Sequence, residues 1–206
     1  MKLTVLLLGA LFILIFFNVG ESNLRNNRIQ KSYVLLLIAV EIFSLFLPVY
    51  QIAEINFTVS GFLIPAIVSI LFLGEVKNKK YLTKVIISFL SVVFLMQLAF
   101  LIQRYAVIEI GQLGWIVLSL GLALVSLIIC RYPKQAFTSL FWGIAFSQIT
   151  FSYTHFPTSE LADSMILGNE IMFLGLIVGS VFMLICYNIF YSIKRRHQAK
   201  VFLQNQ

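Results

Sequence analysis

Residues 81–103 read YLTKVIISFLSVVFLMQLAFLIQ, a run in which Lys84 is the only charged side chain. The hydrocarbon core of a bilayer is about 30 Å thick, and a helix needs about 20 apolar residues to cross it. This run meets that length, and the rest of the chain has a similar character, because 60% of the 206 residues are hydrophobic and only 11% are charged. Soluble proteins carry about 25% charged residues. Lipid is therefore the solvent that we expect for most of this chain.

Six further apolar runs flank this one. The seven predicted spans cover residues 3–19, 33–52, 55–74, 81–103, 110–130, 135–153 and 165–193. Polar segments separate them, and no stretch has the composition of a soluble domain. The sequence thus predicts an all-α fold, a polytopic transmembrane helical bundle of seven spans that forms a single integral membrane domain over residues 1–206.

The distribution of positive charge predicts the orientation of the bundle. With the N-terminus outside and the C-terminus in the cytoplasm, 13 of the 15 Lys and Arg residues lie on the cytoplasmic side. These residues are Arg25, Arg28, Lys31, Lys77, Lys79, Lys80, Lys84, Arg131, Lys134, Lys194, Arg195, Arg196 and Lys200. Cytoplasmic loops of membrane proteins carry this excess. The net charge of +7 therefore indicates contact with the anionic headgroups of the lipid bilayer, and no nucleic acid partner.

Three spans carry features beyond hydrophobicity. The span 135–153 is diluted by Ser, Thr and Gln, which predicts a helix surrounded by other helices and shielded from lipid. The second and third spans are joined by Ala53 and Glu54, so we expect a tight antiparallel hairpin there. Pro48 and Pro65 fall inside these two spans, where each removes a backbone hydrogen bond and favours a kink.

Glu41 lies inside the second span, about 12 Å from the cytoplasmic end at the helical rise per residue. A charge near the bilayer centre costs about 2.5–3.5 kcal/mol on insertion scales, which the apolar residues of the same span outweigh. We therefore expect Glu41 to face other helices, either protonated or paired. Two roles stay open for it: a proton or cation relay, and a neutral carboxyl that is hydrogen-bonded to a neighbouring helix.

Further polar residues fall in the outer half of the predicted bundle. The candidate polar pocket or ion relay consists of Glu41, Gln97, Gln148 and Glu170. Glu54 and His155 are candidates on the outer face. These groups would converge on a small polar solute or cation. The alternative is a set of separate residues at headgroup level.

A small-residue motif, Gly175-x3-Gly179, lies in the seventh span. Such glycines allow two helix backbones to touch. The contact is either internal to one bundle, which is the simpler interpretation, or the seam of a homo-oligomer.

Metal, cofactor and catalytic patterns are not found. The spacing of His155, Glu160 and Asp163 matches no metal motif, and helix capping explains these residues more simply. Cys130 and Cys186 are too few for a disulfide framework. The chain contains no phosphate-binding loop, HExxH motif or Ser-His-Asp order. We therefore expect no metal and no cofactor, and we favour a non-enzymatic role over an enzymatic one.

The layout of the chain resembles that of uncharacterised multi-pass membrane proteins of Gram-positive bacteria, the YphA-like family. The likeness lies in the length, in the short Phe-, Ile- and Lys-rich spans, and in the polar late spans, here 148–153 followed by 163–170. The resemblance implies a location in the bacterial plasma (inner) membrane and assigns no catalytic residue.

Three hypotheses for the function follow. The first is a non-enzymatic accessory or small-solute binding component of the membrane, acting alone or with another membrane protein. The second is an ion-coupled small-solute transporter in which Glu41 and Glu170 exchange protons or cations. The third is a membrane enzyme whose outer-face site uses His155, Glu160 and Asp163.

Overall fold

The architecture is almost entirely helical. A computed structural model of the protein describes residues 2–17, 24–25, 30–52, 55–76, 78–105, 112–155, 166–167 and 170–204. The α-helices in these ranges are α1 Lys2–Phe16, α2 Lys31–Ser44, α3 Ile64–Gly74, α4 Lys79–Tyr105, α5 Gln112–Cys130, α6 Pro133–His155 and α7 Glu170–Gln204. A π-helix, Val59–Leu63, leads directly into α3, and the short strands are β1 Tyr50–Ile52, β2 Ile55–Phe57 and β3 Ile166–Leu167. The predicted helical fold is confirmed apart from these strands.

Among the described residues, three helices are long and apolar enough to cross a membrane. The segments that meet this condition are Lys79–Gln103 in α4, Leu113–Cys130 in α5 and Phe173–Lys194 in α7. At the helical rise they extend about 27–38 Å, which matches a hydrocarbon core of about 30 Å. Large apolar side chains are exposed along them, such as Phe94, Val117 and Phe190. Faces of this kind suit lipid, so these three helices support an integral membrane protein.

The second and third predicted spans are not continuous α-helices. Helix α2 ends at Ser44 and β1 begins at Tyr50, so Pro48 lies between a helix and a strand. Because proline disfavours the helical conformation in the residue before it, α2 ends early and the predicted helix kink at Pro48 is wrong. Pro65 falls at the junction of the π-helix and α3, in the first turn of the α-helix, where a missing N–H is tolerated. Near Pro65 the backbone hydrogen bonds change from the i→i−5 pattern of the π-helix to the i→i−4 pattern of the α-helix.

A small sheet lies beside these elements. Strands β1 and β2 are antiparallel, with Tyr50 opposite Phe57 and Ile52 opposite Ile55. The predicted tight hairpin is therefore present, but strands form it and helices do not. Strand β3 pairs with β2 in parallel. The sequence did not predict the strands, because two or three residues inside an apolar run are too few to show the alternation of apolar and polar residues that indicates a strand.

Helix α6 is the centre of the bundle. It packs against α3, α4, α5 and α7. Its side chains Ala136, Leu140, Phe141 and Ser147 are fully buried. The prediction that the polar sixth span is surrounded by other helices is confirmed, since its hydroxyls at Thr138, Ser139 and Ser147 are buried within the protein.

The glycines of α7 pack against α5. A Cβ at Gly175 would overlap the hydroxyl of Ser119, and one at Gly179 would lie 3.3 Å from the Cβ of Ala123. A small-x3-small pair on one helix thus meets a small-x3-small pair on the other, which is the arrangement that brings two backbones together. The motif Gly175-x3-Gly179 serves internal packing, and no second copy of the chain is needed to fill it.

Basic side chains gather at one end of the bundle. Lys134 at the start of α6 pairs with Glu75 after α3, at 2.9 Å. The ring of Tyr81 near the start of α4 contacts that of Tyr132, and the Cys130 sulfur lies 3.7 Å from the carbonyl oxygen of Lys84. We call this region the basic end; its cationic residues are Lys79, Lys80, Lys84, Arg131, Lys134 and Lys194. The opposite region, which holds β1, β2 and β3, is the sheet end.

Candidate functional site

Glu41 is a buried carboxyl near the end of α2. The residue is only 7% exposed, as predicted for a carboxyl that faces other helices. The hydroxyl of Ser44 donates to the backbone carbonyl of Glu41 at 2.8 Å and lies 3.5 Å from the carboxyl Oε2. The second distance is at the limit of a hydrogen bond. Within the described part of the chain, no cationic side chain pairs with Glu41.

Because no described cationic side chain pairs with Glu41, the protonation state of this carboxyl decides how much its burial costs. An ionised carboxylate taken out of water without a partner costs several kcal/mol, and the cost is larger in a low-dielectric interior. A neutral carboxylic acid costs much less, and it can donate one hydrogen bond. The site therefore favours either a bound proton or a bound cation beside Glu41.

Three helices bring polar residues to the same level near the sheet end. A buried apolar cluster joins α1, α2 and α7, and its core is Leu8, Ile38 and Phe173. About one helical turn nearer the sheet end, the same helices carry Thr4, Glu41 and Glu170. Thr4 is fully buried. The side chain of Glu170 lies outside the described residues, so its contact with Glu41 stays a prediction.

The π-helix lies against this region. It contacts both α2 and α7, and its residues Ser60 and Gly61 are buried. The hydroxyl of Thr58 accepts from the backbone N–H of Gly61 at 3.1 Å and so fixes the start of the turn. The backbone N–H of Leu63 then donates to the carbonyl of Thr58, five residues back, at 3.3 Å. Wide turns of this kind occur often at functional sites.

Gln97 forms hydrogen bonds between two helices. Its amide nitrogen donates across the α4–α6 contact to the backbone carbonyl of Ser147 at 3.0 Å and to the hydroxyl of Thr150 at 2.5 Å. The side chain therefore ties two helices together. It belongs to the α4–α6 interface, whereas Glu41 belongs to the region of α1, α2 and α7.

Gln148 lies on another face of α6. It follows Ser147 by one residue, a rotation of about 100°, and it stands one heptad after Phe141. Its Oε1 is buried and has no hydrogen-bond partner within the described chain. An orphaned buried oxygen of this kind is expected to find water or a ligand. Convergence of Gln97, Gln148, Glu41 and Glu170 on one pocket stays a prediction.

The outer-face candidates lie largely beyond the described part of the structure. Glu54 is outside it, and so are Glu160 and Asp163. Helix α6 ends at His155, whose side chain is not described. Among the described residues, no group of three or more His, Cys, Asp or Glu side chains could hold a metal ion.

The α4–α6 contact also carries hydroxyls whose pairing the sequence did not reveal. The hydroxyls of Ser88 and Ser139 are 2.7 Å apart and fully or nearly fully buried. The Cys130 thiol lies 3.9 Å from the same Ser139 hydroxyl, with its sulfur shielded from solvent. The spacing of Ser and Thr along α6 was the available signal, but their partners on α4 depend on how the helices meet.

Comparisons with known proteins found no relative of this chain. No family model matches the chain, and neither the curated proteins nor the solved structures include one with significant similarity to it. The resemblance to YphA-like membrane proteins therefore stays a prediction.

Proposed function

We propose that the chain is a multi-pass plasma-membrane protein with seven crossings, an outer N-terminus and a cytoplasmic C-terminus. The gathering of Lys79, Arg131, Lys134 and Lys194 at the basic end supports this orientation, because positive residues are retained on the cytoplasmic side. The sheet end would then face outward. The short helices α1 and α2 would cross together with the irregular segments that follow them.

We infer further that the protein is a non-enzymatic binding component for a proton, a small cation or a small polar solute. The observation that carries this proposal is a buried carboxyl, Glu41, on a helix that contacts the π-helix. The predicted span that holds this π-helix is broken into a strand, a π-helix and an α-helix. Irregular backbone at membrane depth is tolerated where protein buries it or where it lines a cavity. Interrupted helices supply ion and solute sites in several transporter folds.

The chemistry of such a site follows from the two forms of Glu41. As a neutral acid the side chain donates a hydrogen bond to a polar solute. As a carboxylate it offers two oxygens to a cation, which removes the penalty of a buried unpaired charge. Exchange of a proton for a cation at Glu41 would leave the net charge of the site unchanged.

An ion-coupled transporter is the second candidate. The position of Glu170 at the start of α7, level with Glu41, favours it. Two carboxyls at one depth on neighbouring helices could pass a proton or cation between them. This alternative requires access to Glu41 from both sides of the membrane, which the binding component does not.

Infrared difference spectroscopy of the purified protein in lipid nanodiscs tests the proposal. Addition of Na⁺ or K⁺, or a change of pH within the neutral range, where exposed carboxyls stay ionised, should alter the carbonyl stretch of a protonated carboxylic acid. The change should vanish in Glu41→Gln and persist in Glu75→Gln, the matched control at an exposed carboxylate. A spectrum that no cation and no pH alters would contradict the proposal.

Proton and cation flux separates the two candidates. Proteoliposomes that contain the wild type should show no flux beyond that of empty vesicles if the protein only binds. Flux that is present in the wild type and in Glu75→Gln but lost in Glu41→Gln would select the transporter instead.

A further inference from the structure

A groove at the basic end lies between the last turns of α5 and the distal part of α7. It encloses about 420 Å³. Its polar lining consists of Arg131, Tyr132, Tyr187, Tyr191 and Lys194. Below these residues the lining becomes apolar and includes Ile128, whose side chain is 64% exposed. The groove is therefore amphipathic along its length and opens toward the face that lipid would cover.

The charged side chains that line the groove are all positive. Arg131 and Lys194 contribute two positive charges, and no carboxylate is among the lining residues. The nearest basic-end ion pair, Lys134 with Glu75, uses neither of them. In the described part of the chain, neither Arg131 nor Lys194 forms an ion pair. Two cations without an ion-pair partner among the described residues are complementary to an anion from outside the chain.

The backbone at Arg131 supports a role for its side chain. Its φ is +66°, in the left-handed region, directly after the last residue of α5. Its N–H donates to the carbonyl of Leu127 at 2.8 Å, which closes the end of the helix. Glycine usually occupies this position because it has no Cβ to strain. An arginine here accepts that strain and holds its guanidinium group at the mouth of the groove.

The aromatic residues are held in place around the cations. The ring of Tyr132 stands edge-on to Tyr81, with centroids 5.6 Å apart. Tyr187 and Tyr191 stack one turn apart on α7, with centroids 6.3 Å apart. Tyrosines are enriched at the level of lipid headgroups, because the ring is apolar and the hydroxyl is polar. Tyr187 and Tyr191 would offer hydroxyl donors beside the two charges.

We propose that this groove binds an anionic phospholipid of the cytoplasmic leaflet. Arg131 and Lys194 would contact the headgroup phosphate, and an acyl chain would run along Ile128 toward the bilayer centre. The apolar half of the groove favours a lipid over free phosphate, because a free anion would leave that half unfilled. Basic pockets between membrane helices on the cytoplasmic side bind such headgroups in other proteins. The inference rests on membrane insertion with the basic end inside, and it does not depend on Glu41.

Thermal unfolding of the full chain in neutral detergent tests this proposal, with phosphatidylglycerol, phosphatidylcholine or inorganic phosphate added. Phosphatidylglycerol should raise the Tm of the wild type, and the two other additions should not. The variant R131Q/K194Q should bind phosphatidylglycerol more weakly, on the order of 30-fold for two cations near a headgroup. The matched control K79Q/K80Q removes the same charge from the same end, outside the groove, and should retain wild-type affinity.

A second variant separates binding from folding. Arg131→Gly relieves the positive φ and keeps the end of α5, so it should fold and still lose most of its affinity for phosphatidylglycerol. Equal stabilisation by phosphatidylcholine would overturn the charge argument, and equal stabilisation by inorganic phosphate would assign the groove to a free anion. An equal loss in K79Q/K80Q would reduce the effect to general surface charge. None of these outcomes bears on Glu41, so failure here is distinct from failure of the proposed function.

Discussion

Replacement of Gly175 by alanine should weaken the contact between α5 and α7. The new Cβ would overlap the Ser119 hydroxyl and lie 3.1 Å from the Ser119 Cβ. That hydroxyl already donates to the carbonyl of Trp115 at 2.8 Å, so it cannot move without loss of a hydrogen bond. Overpacking of this kind costs about 1–3 kcal/mol.

Gly121→Ala is the matched control, because nothing lies within 4 Å of a Cβ built at that glycine of α5. Both substitutions gain the same helix propensity, up to about 1 kcal/mol. The difference between the two variants therefore isolates the overpacking. Unfolding in mixed micelles of detergent and SDS measures it, and Gly175→Ala should be the less stable of the two by about 1–3 kcal/mol.

The contact itself is tested by a compensating change. Ser119→Gly removes the obstructing atoms and should restore most of the stability lost in Gly175→Ala, a coupling that a double-mutant cycle measures. Equal stabilities for Gly175→Ala and Gly121→Ala would refute the proposed packing of α7 on α5. A double variant that recovers nothing would mean that the lost stability arises elsewhere.

Three further predictions concern single polar side chains, and thermal unfolding in detergent measures each. Glu41→Gln should change the free energy of unfolding by less than about 1 kcal/mol, because it replaces a neutral acid with a neutral amide; a loss of about 3–5 kcal/mol would instead indicate a broken buried ion pair. Gln97→Leu removes the bonds from α4 to α6 and should cost about 0.6–1.7 kcal/mol, and no loss would show that those bonds are not made. Glu75→Gln breaks an exposed ion pair and should cost less than about 1 kcal/mol, an effect that high salt removes; a larger or salt-independent loss would contradict the surface location.

The sequence predicted α4, α5 and α6 well, and the reason is physical. The bounds of α7 differ more, since the predicted span 165–193 corresponds to Glu170–Gln204. The spans 81–103, 110–130 and 135–153 agree with α4, α5 and α6 within about two residues at each end, since polar or charged residues bound each run. In a bilayer the backbone N–H and C=O groups of a single segment must form hydrogen bonds with each other, and a long apolar run achieves this by forming a helix. The short strands followed no such rule, because two or three residues carry no periodic signal.

The sequence predicted those features of the candidate site that depend on one residue alone, and it did not predict those that depend on how helices pack. Burial of Glu41 follows from the cost of a carboxyl in lipid, whatever the neighbouring helices are. The partners of Gln97 could not be predicted in the same way, because they depend on which helices touch; Gln97 donates a hydrogen bond to α6. The sequence indicates that Arg131 and Lys194 lie at the cytoplasmic headgroups, but it does not indicate that they line one groove. Their common groove requires α5 and α7 to pack side by side, which spacing along the chain does not reveal.

The most direct test of the account is the side of the membrane on which each end of the bundle lies. Single cysteines at Gln51 in β1 and at Lys79 in α4, in a background without Cys130 and Cys186, would be treated with a membrane-impermeant maleimide in intact cells. The account predicts that Gln51→Cys is labelled at once and that Lys79→Cys is labelled only after the membrane is permeabilised. Labelling of Lys79→Cys in intact cells, with Gln51→Cys protected, would contradict both the threading and the cytoplasmic location of the lipid groove.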